Sequence, residues 1–252
     1  MAAAAIAQRA DAPDSAAGSG GGGLTGTSTT TSTATTTGTS TTTTTGTTTG
    51  PYTTPIAPTP APPVIPPATK TDPFATRGMW IWVLDSSDDG DLDSIIAEAK
   101  QYGIQTLMIK SSDGTGMWPQ FNAELVSTLH EAGLRVCAWQ FVYGIHPIFE
   151  AEAGAAAVKD GADCLVIDAE SQYQGKYVQA QEYIKKLRQL IGAHFPVALA
   201  GLPWIDYHPG FPYSVFLGPN GAQYNTPQMY WKDIGVSVED VFAHTYEFNE
   251  LY

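Results

Sequence analysis

Positive charge is scarce in this sequence. Its 12 Lys and Arg face 25 Asp and Glu, leaving a formal net charge of -13. A surface this acidic repels phosphate backbones, and no basic patch interrupts it, so nucleic acid is excluded as a partner. Cysteine is nearly absent as well. Cys137 and Cys164 both lie in apolar, strand-like runs, which reads as two buried free thiols with neither a disulfide framework nor a Cys-x-x-Cys metal site. No run of about 18 apolar residues occurs, so no transmembrane segment is expected. The histidines share neither a His-x-x-x-His spacing nor a strand, so no metal is expected. No Gly-x-Gly-x-x-Gly follows the first strand, and there is no P-loop and no Gly-x-Ser-x-Gly elbow. No cofactor is expected. The opening residues Met1 to Ala7 are weakly apolar without a basic stretch before them, a poor export signal.

Large side chains are missing from the first third of the chain. Residues 11–24 are dominated by Ala, Ser and Gly, and residues 25–54 by Thr. Residues 55–68 form a Pro-Ala stretch that includes Pro62, Pro63, Pro66 and Pro67. Such a segment buries too little apolar surface to offset its ordering entropy. Residues 1–77 are therefore expected to be a disordered, low-complexity tail, its Pro-rich end a stiff spacer. The Thr/Pro composition suits either a cell-surface stalk or an inert linker. The tail carries Arg9, Lys70 and Arg77 against Asp11, Asp14 and Asp72, so the acidic excess sits entirely on residues 78–252.

Residues 78–252 contain all six tryptophans and a regular beat. Apolar strand-like runs begin near Met79, Thr106, Arg135, Asp163, Pro196 and Pro227, spaced as successive βα units are. The last of these is read as a strand over Gln228–Trp231. Helical periodicity spans Asp91–Tyr102, Ala123–Ala132 (capped by Asn122), Ile148–Lys159, Lys176–Ile191 and Val238–Glu250, and Gly103, Gly133, Gly161 and Gly192 close the first four. Residues 206–225 read as a long irregular loop. Alternating units of this kind make either a (β/α) barrel of the TIM type or an open doubly wound sheet. Polar residues close five of the six runs, which is the barrel pattern, because a barrel assembles its site from the loops that follow its strands. Six strands fall short of the eight of a closed barrel, so the fold is expected to be an α/β barrel truncated after the sixth βα unit.

The strongest chemical signal is Leu165-Val166-Ile167-Asp168-Ala169-Glu170. Side chains alternate along a strand, so Asp168 and Glu170 project to one side and Ala169 to the other. Like charge and desolvation should raise the pKa of one of them, giving a protonated acid beside an ionised partner, as glycosidic bond cleavage requires. Asp168 and Glu170 are the candidate catalytic residues. Asp85, Lys110, Gln140, Gln228, Tyr230 and Trp82 are the candidate substrate-binding residues, polar or aromatic groups at strand ends. Asp85 also suits a helix cap or a turn. Lys110 suits pairing with a carboxylate, or a Schiff base if its pocket is dry. Asp88, Asp89, Asp91 and Asp93 lack the downstream Glu of a calcium loop.

With those residues in view, Val166-Ile167-Asp168-Ala169-Glu170 and Asp85 resemble the strand ends of glycoside hydrolase family 25, the lysozyme-like muramidases. Family 18 is a looser match, because Val166 interrupts its run of aspartates and Trp231 replaces the acid after Tyr230. The segments Gly78-Met79-Trp80-Ile81-Trp82 and Cys137-Ala138-Trp139-Gln140 look like an uncharacterised bacterial group of glycoside-hydrolase-like barrels. The resemblance implies Glu170 as acid/base, with Asp168 orienting a substrate acetamido group or stabilising positive charge. It implies a polysaccharide substrate, cell-wall or related, met outside the cell or at its surface. Two other readings stand beside the hydrolase: a non-catalytic carbohydrate-binding barrel on a stalk, and a barrel enzyme that uses Lys110.

Overall fold

The structure, a computed structural model, describes residues 72–249 together with a two-residue strand near the start of the chain. The expectation of disorder over residues 1–77 therefore lies largely outside the described residues. Where the two overlap, the chain is already packed. Phe74 packs on Tyr224 with ring centroids 4.6 Å apart, and the buried Thr76 hydroxyl shares a hydrogen bond of 2.7 Å with Thr106. The folded unit thus includes residues ahead of Gly78.

The strands are β1 (Ile6–Ala7), β2 (Gly78–Ile81), β3 (Thr106–Asp113), β4 (Gly116–Met117), β5 (Arg135–Val142), β6 (Cys164–Ala169), β7 (Val197–Ala200) and β8 (Tyr224–Asn225). They pair in the order β1-β2-β3-β5-β6-β7-β8, all parallel, with β4 folded back antiparallel on β3. From β2 onward the order follows the sequence without reversal. A doubly wound sheet reverses at its switch point; this sheet instead curls into a half-barrel.

Helices α1 (Leu92–Gln101), α2 (Ala123–Glu131), α3 (Pro147–Lys159) and α4 (Tyr177–Ile191) cover the outer face, and the short α5 (Tyr213–Phe216), the short α6 (Trp231–Ile234) and α7 (Val238–Asn249) follow. Local chemistry sets their ends. Asp91 and Asn122 accept the amides of Ser94 and Leu125, satisfying donors that the first turns of α1 and α2 leave free. Gly133 follows α2 at φ 82°, a left-handed conformation that a side chain would strain. No helix among the described residues is long and apolar enough to cross a membrane.

Strand alternation splits the core in two. Leu107, Ile109, Val136, Ala138, Leu165, Ile167 and Leu199 pack outward against the helices. Met108, Cys137, Trp139, Cys164, Val166, Ala198 and Ala200 fill the concave side. Burying each large aliphatic side chain contributes roughly 1.5–3 kcal/mol.

Three expectations are corrected. The cysteines are not free thiols: Cys137 and Cys164 are partners in the β5–β6 register and form a disulfide on the concave side, with Cα atoms 4.6 Å apart. The sixth barrel strand is Tyr224–Asn225 and not Gln228–Trp231, because Pro227 has no N–H to continue the ladder and Trp231 already opens α6. Residues 206–225 are not an irregular loop throughout: they contain α5 and β8. Phe211, Tyr213 and Phe216 are buried there, with Phe216 meeting Tyr173 and Tyr183.

Candidate active site

The polar groups of the concave side gather where β3, β5 and β6 end and where the chain leaves β8. Asp168 is the penultimate residue of β6, and Glu170 follows in extended backbone before the short turn Ser171–Tyr173. One donor joins them. Gln228 Nε2 donates to Asp168 Oδ1 at 2.8 Å and to Glu170 Oε1 at 3.0 Å. The two acceptor oxygens are therefore at most 5.8 Å apart, the reach of those two contacts end to end. Ala169 faces the helices, fully buried.

Gln228 is itself held. Its N–H donates to Gly201 O at the end of β7. Further back, Arg188 of α4 donates to Asn220 O, Gly221 O and Gln223 Oε1, fixing the entry into β8. A structural arginine on the helical side thus sets the path that delivers Gln228.

Asp168 is 8% exposed. Burial, and next the Glu170 carboxylate, push its carboxyl well above the ordinary carboxylate range. Lys110 and the Gln228 hydrogen bond oppose this and do not cancel it. The pair accordingly combines a carboxyl whose protonated form is favoured by burial with a half-buried neighbour. Tyr230 lies within electrostatic reach of both. Burial first, then Asp168, Glu170 and Asp233, push its hydroxyl up to about 12. It remains a hydrogen-bond donor across the physiological range.

Lys110 stands across the concave side, 1% exposed. Its Nζ lies 4.7, 4.4 and 4.8 Å from the ring centroids of Trp82, Trp118 and Trp139 and donates to Asp113 Oδ2 at 2.6 Å. Lys110 and Asp113 are three residues apart and would face opposite sides of a regular strand. A register shift between Lys110 and Ser112 turns them to the same side. Asp113 also accepts from Tyr143 Oη at 2.7 Å, and the Tyr143 hydroxyl is pushed up to about 12 by burial and then by that contact. Gln120 ties the walls together, donating to Trp82 O and Lys110 O and accepting from Leu84 N. Trp139 is pinned by its indole N–H on Ile81 O. Trp82 remains 43% exposed at the rim.

The structure thus brings Asp168, Glu170, Gln228, Tyr230, Lys110 and Trp82 to one end of the concave side. Two candidates lie elsewhere. Gln140 is fully buried on the helical side, donating to Gly114 O and Glu150 O and accepting from Tyr183 Oη. Its neighbour Trp139 faces the concave side, so alternation turns Gln140 away, and it is removed from the site. Asp85 sits exposed on the turn Leu84–Ser86, over Gly90 and beside an open depression shared with Gln120 and Asn122. No hydrogen bond joins it to Asp168 or Glu170 among the described residues. Asp113, a polar strand-end residue in the sequence, and Trp118 and Tyr143, aromatics near strand ends, are not among the candidate site residues that the sequence reading selects. Asp113 lies at the end of its strand, but its partnership with Lys110 depends on the bulge.

No protein-family model and no curated protein matches the sequence. Among solved structures, a family 25 glycosyl hydrolase from Bacillus anthracis is similar at 16% identity and a TM-score of 0.38, over 52% of this chain and 62% of that one. The Cpl-1 endolysin complexed with a peptidoglycan analogue is similar at 19% identity and a TM-score of 0.38, over 55% and 40%. A sugar phosphate isomerase/epimerase from Parabacteroides distasonis is similar at 11% identity and a TM-score of 0.44, over 66% and 75%. The chain thus spans less than two thirds of the first two structures.

Proposed function

We propose that this chain carries the acid pair of a glycoside hydrolase acting on a cell-wall or related polysaccharide. The observation behind this reading is the Asp168–Gln228–Glu170 bridge at the end of the concave side, with burial favouring the protonated form of one carboxyl of the pair. Glycosidic cleavage needs a proton delivered to the leaving oxygen and stabilisation of the positive charge that grows on the sugar. Glu170, the less buried of the two, is placed to give its carboxyl proton to the leaving oxygen, and the carboxylate it becomes then faces the positive charge that grows on the sugar. Asp168 lies behind it and, in the protonated form that burial favours, can donate a hydrogen bond to a substrate carbonyl such as an acetamido oxygen. Tyr230 supplies a second donor beside both, and the exposed Trp82 offers an aromatic face to a sugar ring.

The Cys137–Cys164 disulfide supports the location. Structural disulfides persist in oxidising compartments, which agrees with action outside the cell or at its surface. The domain boundary we propose leaves the low-complexity segment as the tether and the half-barrel as its cargo.

A pH–rate profile on purified cell-wall polysaccharide tests this reading. Asp168 acts in its protonated form, so the rate falls as pH rises through its elevated transition. Saturable polysaccharide binding with no release of reducing ends at any pH would replace the hydrolase by a binding barrel.

A further inference from the structure

The Lys110 ammonium is already enclosed. Three indoles stand within 4.8 Å of it, a carboxylate takes its proton-bearing edge at 2.6 Å, and the side chain is 2% exposed. A substrate could reach it only by displacing Trp82 or Trp118. Burying a cation this thoroughly is costly unless it is paired, and rings and Asp113 together provide the pairing. A Met or Leu would fill the same space at lower cost, so the charge calls for an explanation.

We infer that the buried Lys110–Asp113 pair is the electrostatic control of the Asp168/Glu170 dyad, a positioning device that acts through space and never contacts the sugar. This rests on the reading of that dyad as the reacting pair. The geometry favours it. Asp113 on β3 and Asp168 on β6 are both register partners of Phe141 on β5, and Lys110 is aligned with Trp139 and Val166, whose side chains fill the concave side; the bulge in β3 turns Asp113 toward the same side as Lys110. The two charges act on Asp168 with opposite sign: Lys110 favours its ionised form, and Asp113 favours the neutral one. The other groups that face Asp168 are Glu170 just after β6 and Gln228 and Tyr230 beyond β8. Tyr143, in the turn after β5, anchors the arrangement by holding the second oxygen of Asp113, which keeps the carboxylate turned toward Lys110. The aromatic box keeps water from screening the cation, and its field is stronger there than at a surface.

The test is a titration that needs no substrate. Full-length protein carrying 13C at the Asp side-chain carboxyls is followed by NMR, with Asp168 assigned by its absence from Asp168→Asn. Lys110→Met leaves Asp113 unopposed and moves the Asp168 transition up by about one pH unit. Asp113→Asn removes the opposing charge and moves it down. Lys110→Arg, which keeps the cation among the rings, leaves it near the wild-type position. Should Lys110→Met fail to fold, Asp113→Asn decides the sign alone, because its side chain is already a third exposed. A merely structural pair predicts no opposition of sign. Transitions that stay at the wild-type position in both charge-changing variants, or move the same way in both, overturn the inference. Opposite shifts in a protein that cleaves no polysaccharide would instead keep the electrostatic control and remove the hydrolase reading.

Discussion

Glu150 is a buried carboxylate that does no chemistry in this account, and its loss should be among the most damaging single changes. It lies in the first turn of α3, and His146 ahead of it offers no side-chain cap. In place of a cap, Glu150 reaches back over the β5–α3 turn. Its oxygens accept the amides of Tyr143 at 3.2 Å, Gly144 at 3.0 Å, Ile145 at 3.0 Å and His146 at 3.1 Å. Glu150→Ala removes all four acceptors. Ile145 and His146 are exposed and can turn to water, but Gly144 is buried and Tyr143 half-buried. Each buried donor left unpaired costs about 1–3 kcal/mol. With the cavity added, the loss should be roughly 3–5 kcal/mol. Glu150→Gln keeps one acceptor oxygen and should lose less. Urea unfolding with fitted slopes measures both. A loss below about 1 kcal/mol for Glu150→Ala would refute the accounting, since it would mean the turn needs no acceptor. Tyr143 leaves this turn to hold Asp113, so the same variant should also loosen the hydroxyl–carboxylate contact at the site.

Asp168→Asn should be more stable than wild type above the Asp168 transition and lose that advantage in acid. The raised native carboxyl binds its proton more tightly than the unfolded chain does, so wild-type stability falls as pH rises through the native transition. The gain is about 1.4 kcal/mol for each pH unit of elevation, read from melting curves at pH 4 and pH 8; an equal difference at both would contradict it. Replacing Cys137 and Cys164 together by Ala should cost roughly 3–4 kcal/mol from the 27-residue separation of the cross-link. Ellman's reagent on denatured, unreduced wild type should find no thiol, and two thiols per chain would dismiss the disulfide. Gln228→Leu should leave the fold intact and raise the Asp168 transition further, because it removes a hydrogen bond that favours the ionised form; an unchanged transition would remove Gln228 from the bridge.

The barrel order and the acid pair were legible in the sequence because both rest on local periodicity. Units spaced by a strand and a helix can pair in sequence order, and Asp168 and Glu170 share a side at any strand position. What failed was information held across strands. Cys137 and Cys164 lie directly opposite one another only because β5 and β6 adopt that register, which no spacing encodes. Gln140 was drawn into the site as a polar residue near a strand end, although alternation from the concave-facing Trp139 already turns it toward Tyr183 and the helices. The pairing of the strand-end Asp113 with Lys110 is hidden for the converse reason. Strict alternation separates the two residues, and one register shift in β3 reunites them. The burial of Lys110 depends on Trp82, Trp118 and Trp139 arriving from three segments, a tertiary event. Phe211 and Phe216 lie in a stretch whose Pro and Gly mask how apolar its interior is.

The most direct test of the central claim is the release of reducing ends from purified cell-wall polysaccharide by wild type and by Glu170→Gln, at the pH of the wild-type maximum. Glu170→Gln keeps the size of the side chain and an oxygen for Gln228 but cannot transfer a proton. The account predicts detectable release by wild type, a fall of roughly 10²- to 10⁴-fold in the variant, and the same melting temperature for both. Release by the variant within a few-fold of wild type would contradict it.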